Sequence, residues 1–182
     1  MEALTSRVEQ HMSTTTTGDT ITMFCDACND DRPFHRAILH RTIEVRGEEI
    51  AVAEPVWQCA VCRTTQPDLS SGIDSLTLAY LEYRARHNLL TPGQIREIRE
   101  RYALSLDAFA SIIGINSVVL DRYERGALQD ELHDAAIRRC DVPSTMLSLA
   151  AAHRNQIPGP QWKSFLETIG QLITREAASI PV

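Results

Sequence analysis

Two Cys-x-x-Cys pairs, Cys25/Cys28 in FCDACNDDRPF and Cys59/Cys62 in WQCAVCR, stand thirty residues apart in this chain. A Cys-x-x-Cys turn brings two sulfurs to one side, and a second such turn completes a tetrahedral shell of four thiolates around one ion. The residues between the pairs must then fold back on themselves, and their pattern allows it. Arg36–Val45 and Glu49–Val56 alternate and are rich in β-branched side chains, with Arg46-Gly47-Glu48 as the turn between them.

The spacing therefore predicts a small zinc-ribbon-like β domain over residues 22–69, with Cys25, Cys28, Cys59 and Cys62 as ligands of one zinc per chain. Four sulfurs can also hold iron as rubredoxin does, and spacing alone does not separate the two metals. A closed shell of four thiolates leaves no position for water, so a catalytic metal is not expected. His35 and His40 read as strand surface residues, and Cys140, alone in a helical pattern, as a packed thiol.

The cysteine usage fits a reducing compartment, and no apolar run approaches the roughly 20 residues of a membrane helix. Residues 1–21 contain no apolar core that could serve as a signal peptide and read as a disordered leader, which makes a cytoplasmic protein the expectation. Charge is uneven: residues 1–70 hold six Arg against eleven Asp and Glu, whereas residues 71–140 hold nine Arg against ten acids. A net charge of −6 runs against the general rule that nucleic-acid binders present a basic face, and is an obstacle to any such reading.

Beyond Asp68 the apolar period changes from two to 3.6, which predicts an α+β chain with its helices in the second part. Ser71-Gly72-Ile73-Asp74 reads as a capping box, with Ile73, Leu76, Tyr80, Tyr83 and His87 on one face of the helix that follows. Thr91-Pro92-Gly93-Gln94 is a second box, with proline at the first helical position and Ile95 and Ile98 on the buried side. In LSLDAFASIIGINSVVLDRYERG, Ser105 caps a helix through Ile113, Gly114 permits a sharp turn, Asn116 caps a second helix, and Gly126 ends it. This is a helix-turn-helix pattern, with Ala110 at the crossing and Leu106, Phe109, Ile113, Ile115 and Leu120 as its shared core.

The stretch LLTPGQIREIRERYALSLDAFASIIGINSVVLDRYERGALQDELHD resembles the helix-turn-helix of the MqsA/YgiT-type antitoxin family, within the wider phage-repressor-like class. Two Cys-x-x-Cys pairs placed before it match that family's arrangement, and the likeness covers roughly residues 22–140. It implies a zinc-binding N-terminal domain, a dimeric DNA-binding domain and repression of the chain's own toxin–antitoxin operon. Carried onto this sequence, operator contacts fall on Asn116, Ser117, Val118, Asp121, Arg122 and Arg125, with a toxin as possible protein partner. Val118 stands where the resemblance leads one to expect a polar base reader. Asp121 can accept from cytosine N4 or repel phosphate, and the cytosine-reading role is the one expected.

The domain plan is thus a leader over 1–21, a zinc-finger domain over 22–69, a helix-turn-helix domain over 70–140, and a helical extension over 141–182. In the extension Trp162, Phe165, Leu166, Ile169, Leu172 and Ile173 form one apolar stripe, expected to serve as core or homodimer interface. No cluster of His, Ser or carboxylate has catalytic spacing, so an enzyme is not expected. The alternative to a DNA-binding regulator is an adaptor that keeps the fold and acts by docking a partner protein.

Overall fold

The computed structural model describes residues 11–68, 70 and 72–178, with side chains from 18 through 175. It is a mixed chain, a four-stranded antiparallel sheet followed by seven α-helices, and it divides into two units, residues 1–85 and 86–182.

In the first unit β1 (His11–Cys25), β2 (Asp30–Val45), β3 (Glu48–Cys59) and β4 (Thr65–Pro67) lie in sequence order across the sheet. Val45 pairs with Glu48, so the β2–β3 turn is the two residues Arg46-Gly47 rather than the expected three. Both turn residues have positive φ, 52° and 84°, the geometry that matches strand twist in a tight hairpin. Every second residue of β3 from Ile50 to Val56 is buried, and this alternation holds the register because a one-residue slip would turn that set outward. Residues 11–21 depart from the expected leader: they belong to β1 and pair with β2. Residues 1–10 of that segment lie outside the described residues.

Helix α1 (Ser75–Arg86) lies in the first unit except for its last residue, Arg86, which opens the second. Asp74 caps it by accepting from the Thr77 amide at 2.7 Å. Ser71, the first residue of the expected capping box, lies outside the described residues. The buried face is Ser75, Ala79 and Tyr83, while Ile73 and Leu76 are exposed. Small residues at i and i+4 turn inward because polar chemistry anchors that face. The Ser75 hydroxyl donates to the buried carboxylate of Glu54, which Arg41 Nε also meets at 3.3 Å.

In the second unit, α2 (Pro92–Arg101), α3 (Leu106–Ile113), α4 (Ser117–Glu124), α5 (Glu131–Arg139), α6 (Pro143–Ala152) and α7 (Gly159–Ala178) surround one core. Phe109, Ala110, Leu120, Ile137, Met146, Phe165 and Ile169 are buried together in it. The residues after 140 therefore complete this core instead of forming an extension. Phe165 and Ile169 of the α7 stripe are consumed by it, and Leu166 remains exposed. Cys140 is fully buried, and desolvation pushes its thiol up to about 12, as suits a packed side chain.

Candidate functional site

The four paired cysteines converge. The sulfurs of Cys25, Cys28, Cys59 and Cys62 all lie within 4.8 Å of one another, with no disulfide among them. Cys25 ends β1 and Cys59 ends β3, both fully buried, and Phe34 and Trp57 pack around them. Cys28 is half-buried and Cys62 exposed, so the cluster sits at the end of the sheet with one side open.

Each turn is closed by a backbone hydrogen bond to the carbonyl of its first cysteine, over three residues in the first and four in the second. Within the first, the Cys28 amide donates to the Cys25 carbonyl at 3.1 Å; in the second, the Arg63 amide donates to the Cys59 carbonyl at 3.0 Å. Immediately after each second cysteine the backbone enters the left-handed region, at Asn29 (φ 53°) and Arg63 (φ 63°). Asparagine tolerates that conformation better than arginine does.

A four-sulfur shell with metal–sulfur bonds of about 2.3 Å needs sulfurs roughly 3.8 Å apart. The Cys25–Cys62 separation of 3.4 Å and the 4.8 Å limit bracket that value. The sulfurs' mutual influence is opposite at the two ends of the cluster. A thiol hydrogen bond with Cys62 and burial push Cys28 up to about 12, whereas the Thr64 hydroxyl and amide hold Cys62 near 6. Burial raises Cys25. A bound cation reverses this competition, because it favours the thiolate at every ligand. The residues present can hold a metal ion.

Three supporting residues escaped the sequence. Thr64 serves Cys62, its Oγ1 3.3 Å from the sulfur. Gln58 is almost fully buried, donates through Nε2 to the Arg63 carbonyl at 3.3 Å, and meets His35 Nε2 at 3.2 Å through Oε1. His35 is thus a half-buried partner of Gln58, while His40 is exposed as expected. A polar residue beside a ligand, or two positions beyond a Cys-x-x-Cys pair, is the only local signal these residues give.

The second candidate surface is the helix pair α3–α4. Ser105 accepts from the Ala108 amide at 3.3 Å and caps α3; Gly114 turns the chain at φ 75°. Asn116 Oδ1 accepts from the Val118 amide at 2.8 Å and caps α4. At the far end Gly126 (φ 113°) carries two reversed hydrogen bonds, Ala127 N–H to Arg122 O at 2.8 Å and Gly126 N–H to Tyr123 O at 3.1 Å. Leu120 and Tyr123 face the core, and Val118, Arg122 and Arg125 face outward.

Buried Glu124 fixes α4 to α2. Its carboxylate takes Arg99 Nε at 2.7 Å and Arg99 Nη2 at 2.8 Å, and Arg96 Nε at 3.3 Å. Burial alone would raise that carboxyl, but the two guanidiniums outweigh it and hold it below the usual carboxylate value. Asp121 lies against Arg125 Nε at 3.0 Å and not against Arg122. All six sequence-predicted contact residues, Asn116, Ser117, Val118, Asp121, Arg122 and Arg125, fall on α4 or its two caps. Compared with protein-family models, curated proteins and solved structures, the chain matches none.

Proposed function

We propose that this chain is a zinc-containing helix-turn-helix transcriptional regulator, the antitoxin of a toxin–antitoxin pair that represses its own operon. The observation that carries the reading is the α3–α4 pair, a two-helix unit with a glycine turn whose second helix leaves Arg122 and Arg125 exposed on one face. In this reading α4 enters the major groove of an operator, Asn116 and Ser117 lie nearest its phosphates, and Arg122 reaches a guanine or a backbone oxygen. An acidic chain can bind there because neither arginine is surrounded by unpaired acids: Asp121 is matched by Arg125, and Glu124 by Arg99 and Arg96.

Zinc is the metal the cysteine shell fits best, because four thiolates in a closed shell are its usual structural site. The β unit then acts as a rigid docking module for a toxin. A palindromic operator requires a twofold axis, so the protein acts as a homodimer, with exposed Leu166 on α7 as a candidate contact. Titration of purified protein against the DNA upstream of its own reading frame tests the proposal. A retarded complex that Arg122→Ala abolishes is expected; absence of any complex overturns it.

A second reading, an adaptor that acts by docking a partner protein, is favoured by Phe24 and Val61, which stand 51% and 63% exposed beside the cysteines. Exposed Asp26, Asp30 and Asp31 add an acidic margin. A protein partner recovered from the host without DNA supports this second reading.

A further inference from the structure

One side chain on the outer face of α4 is explained neither by the fold nor by general DNA attraction. Val118 is 63% exposed on the first turn, while Val119 and Leu120 next to it pack toward the core. Valine is a poorer helix former than alanine and gains nothing from solvent. Its place is nonetheless rigid, because its own amide is held by the Asn116 cap at 2.8 Å. Arg122 and Arg125 follow it at i+4 and i+7 on the same face, both exposed, and Asp121 orients Arg125 through a 3.0 Å contact. The stripe therefore runs from an apolar tip to two cations.

Resting on the DNA-binding reading above, we infer that Val118 is a specificity-determining residue that reads thymine, its two methyl groups packing on the C5-methyl of one base in the major groove. Among the four bases only thymine presents an apolar group on that edge. A side chain without donor or acceptor favours it through the methyl and disfavours cytosine, whose N4 amine is left without a partner. Four residues of helix rise about 6 Å, and base pairs are stacked about 3.4 Å apart. The thymine therefore lies roughly two base pairs from the pair that faces Arg122.

The test selects a binding site from a random-sequence duplex library with the full chain, then resynthesises it with deoxyuridine replacing each thymidine in turn, which removes only the C5-methyl. In each half-site one replacement is expected to weaken wild-type binding about fourfold, equivalent to about 0.8 kcal/mol, the worth of one buried methyl. Val118→Ala, which folds at least as readily, should bind the thymine site about as weakly as the wild type binds the uracil site and be indifferent to that replacement. Isosteric Val118→Thr should keep part of the sensitivity. Binding in which no uracil replacement acts, or one that acts equally on Val118→Ala, overturns the inference and leaves the DNA reading standing. Failure to select any site overturns both.

Discussion

Asp121 and Arg125 stand one turn apart on the exposed face of α4, with Asp121 Oδ2 3.0 Å from Arg125 Nε and Oδ1 at 3.1 Å. Both carboxylate oxygens are thus turned to the arginine, which competes with the cytosine-reading role expected from the sequence. An exposed pair at this spacing is worth about 0.5 kcal/mol at most, so Asp121→Asn should leave the urea midpoint nearly unchanged. Its effect belongs to binding. Freed of the carboxylate, Arg125 can meet a phosphate, so Asp121→Asn should tighten association with every duplex and steepen its salt dependence. Titrations at two salt concentrations check this, and a change confined to one base pair would restore the reading role.

The cysteine cluster predicts a metal-dependent unit. Structural zinc supplies folding free energy on the order of 10 kcal/mol in small fingers. Elemental analysis should return one zinc per chain, and a colourless protein excludes the iron alternative. Chelation should disturb Trp57, which packs beside the cysteines, while the helical circular dichroism of residues 86–182 persists. Cys59→Ser should reproduce the effect of the chelator, because Cys59 is the sulfur of the cluster that ends β3 and is fully buried. With Trp162 replaced by Phe so that Trp57 is the single tryptophan, unchanged fluorescence in either experiment contradicts the assignment.

Arg63 and Asn29 occupy equivalent left-handed positions, and the unequal fitness of their side chains is measurable. Arg63→Gly should raise the stability of the β unit by about 1 kcal/mol, since a left-handed non-glycine residue costs about that much. Asn29→Gly should gain less. Denaturant unfolding followed by Trp57 fluorescence in a Trp162→Phe background compares the two variants, and an equal or reversed order would assign the preference to side-chain contacts.

What was readable in the sequence was local. The cysteine pairs, the caps Thr91, Ser105 and Asn116, and the terminating Gly126 all act within a few residues of themselves, and each occupies the place its pattern requires. Strand β1 gave no such signal. Its threonine run lacks apolar alternation, and its partner β2 lies beyond the first Cys-x-x-Cys turn. The buried face of α1 was misplaced for a related reason: Ser75 turns inward toward Glu54, a residue twenty-one positions away, so the larger Leu76 stays outside. In α7 the stripe itself was legible, but not that the core of its own unit would take Phe165 and Ile169.

Leu166 is the residue of that stripe left exposed, at 42%. If copies of the chain meet on α7, Leu166→Glu should convert a dimer to a monomer in sedimentation at micromolar concentration. Because the side chain is not part of the core, the unfolding midpoint of the isolated monomer should be preserved. A dimer that survives the substitution moves the interface elsewhere.

The strongest stability prediction concerns Glu124, whose side chain is 4% exposed and whose partner Arg99 is 13% exposed. Glu124→Ala removes both hydrogen bonds to Arg99 and leaves the guanidinium, whose Nη1 donates to the Leu104 carbonyl at 3.1 Å, with only the exposed carboxylate of Glu100 at 3.3 Å as counter-charge. Breaking a buried pair from one side costs about 3 kcal/mol or more, so α4 should loosen from α2 and the helical unit should unfold at markedly lower urea. Glu124→Gln keeps the shape and one acceptor, and should cost less. The pH dependence has a definite sign. The folded carboxyl is held below its ordinary value of about 4.3, so its contribution is complete above that pH and is lost as pH falls through the lower folded value. Wild-type stability should therefore fall more steeply below about pH 4 than that of Glu124→Gln, which has no proton to bind at this position. Urea midpoints of the two proteins across the acid range measure the difference; parallel curves would show that Glu124 titrates as an ordinary carboxylate, and that the arginine clamp does not lower its pKa.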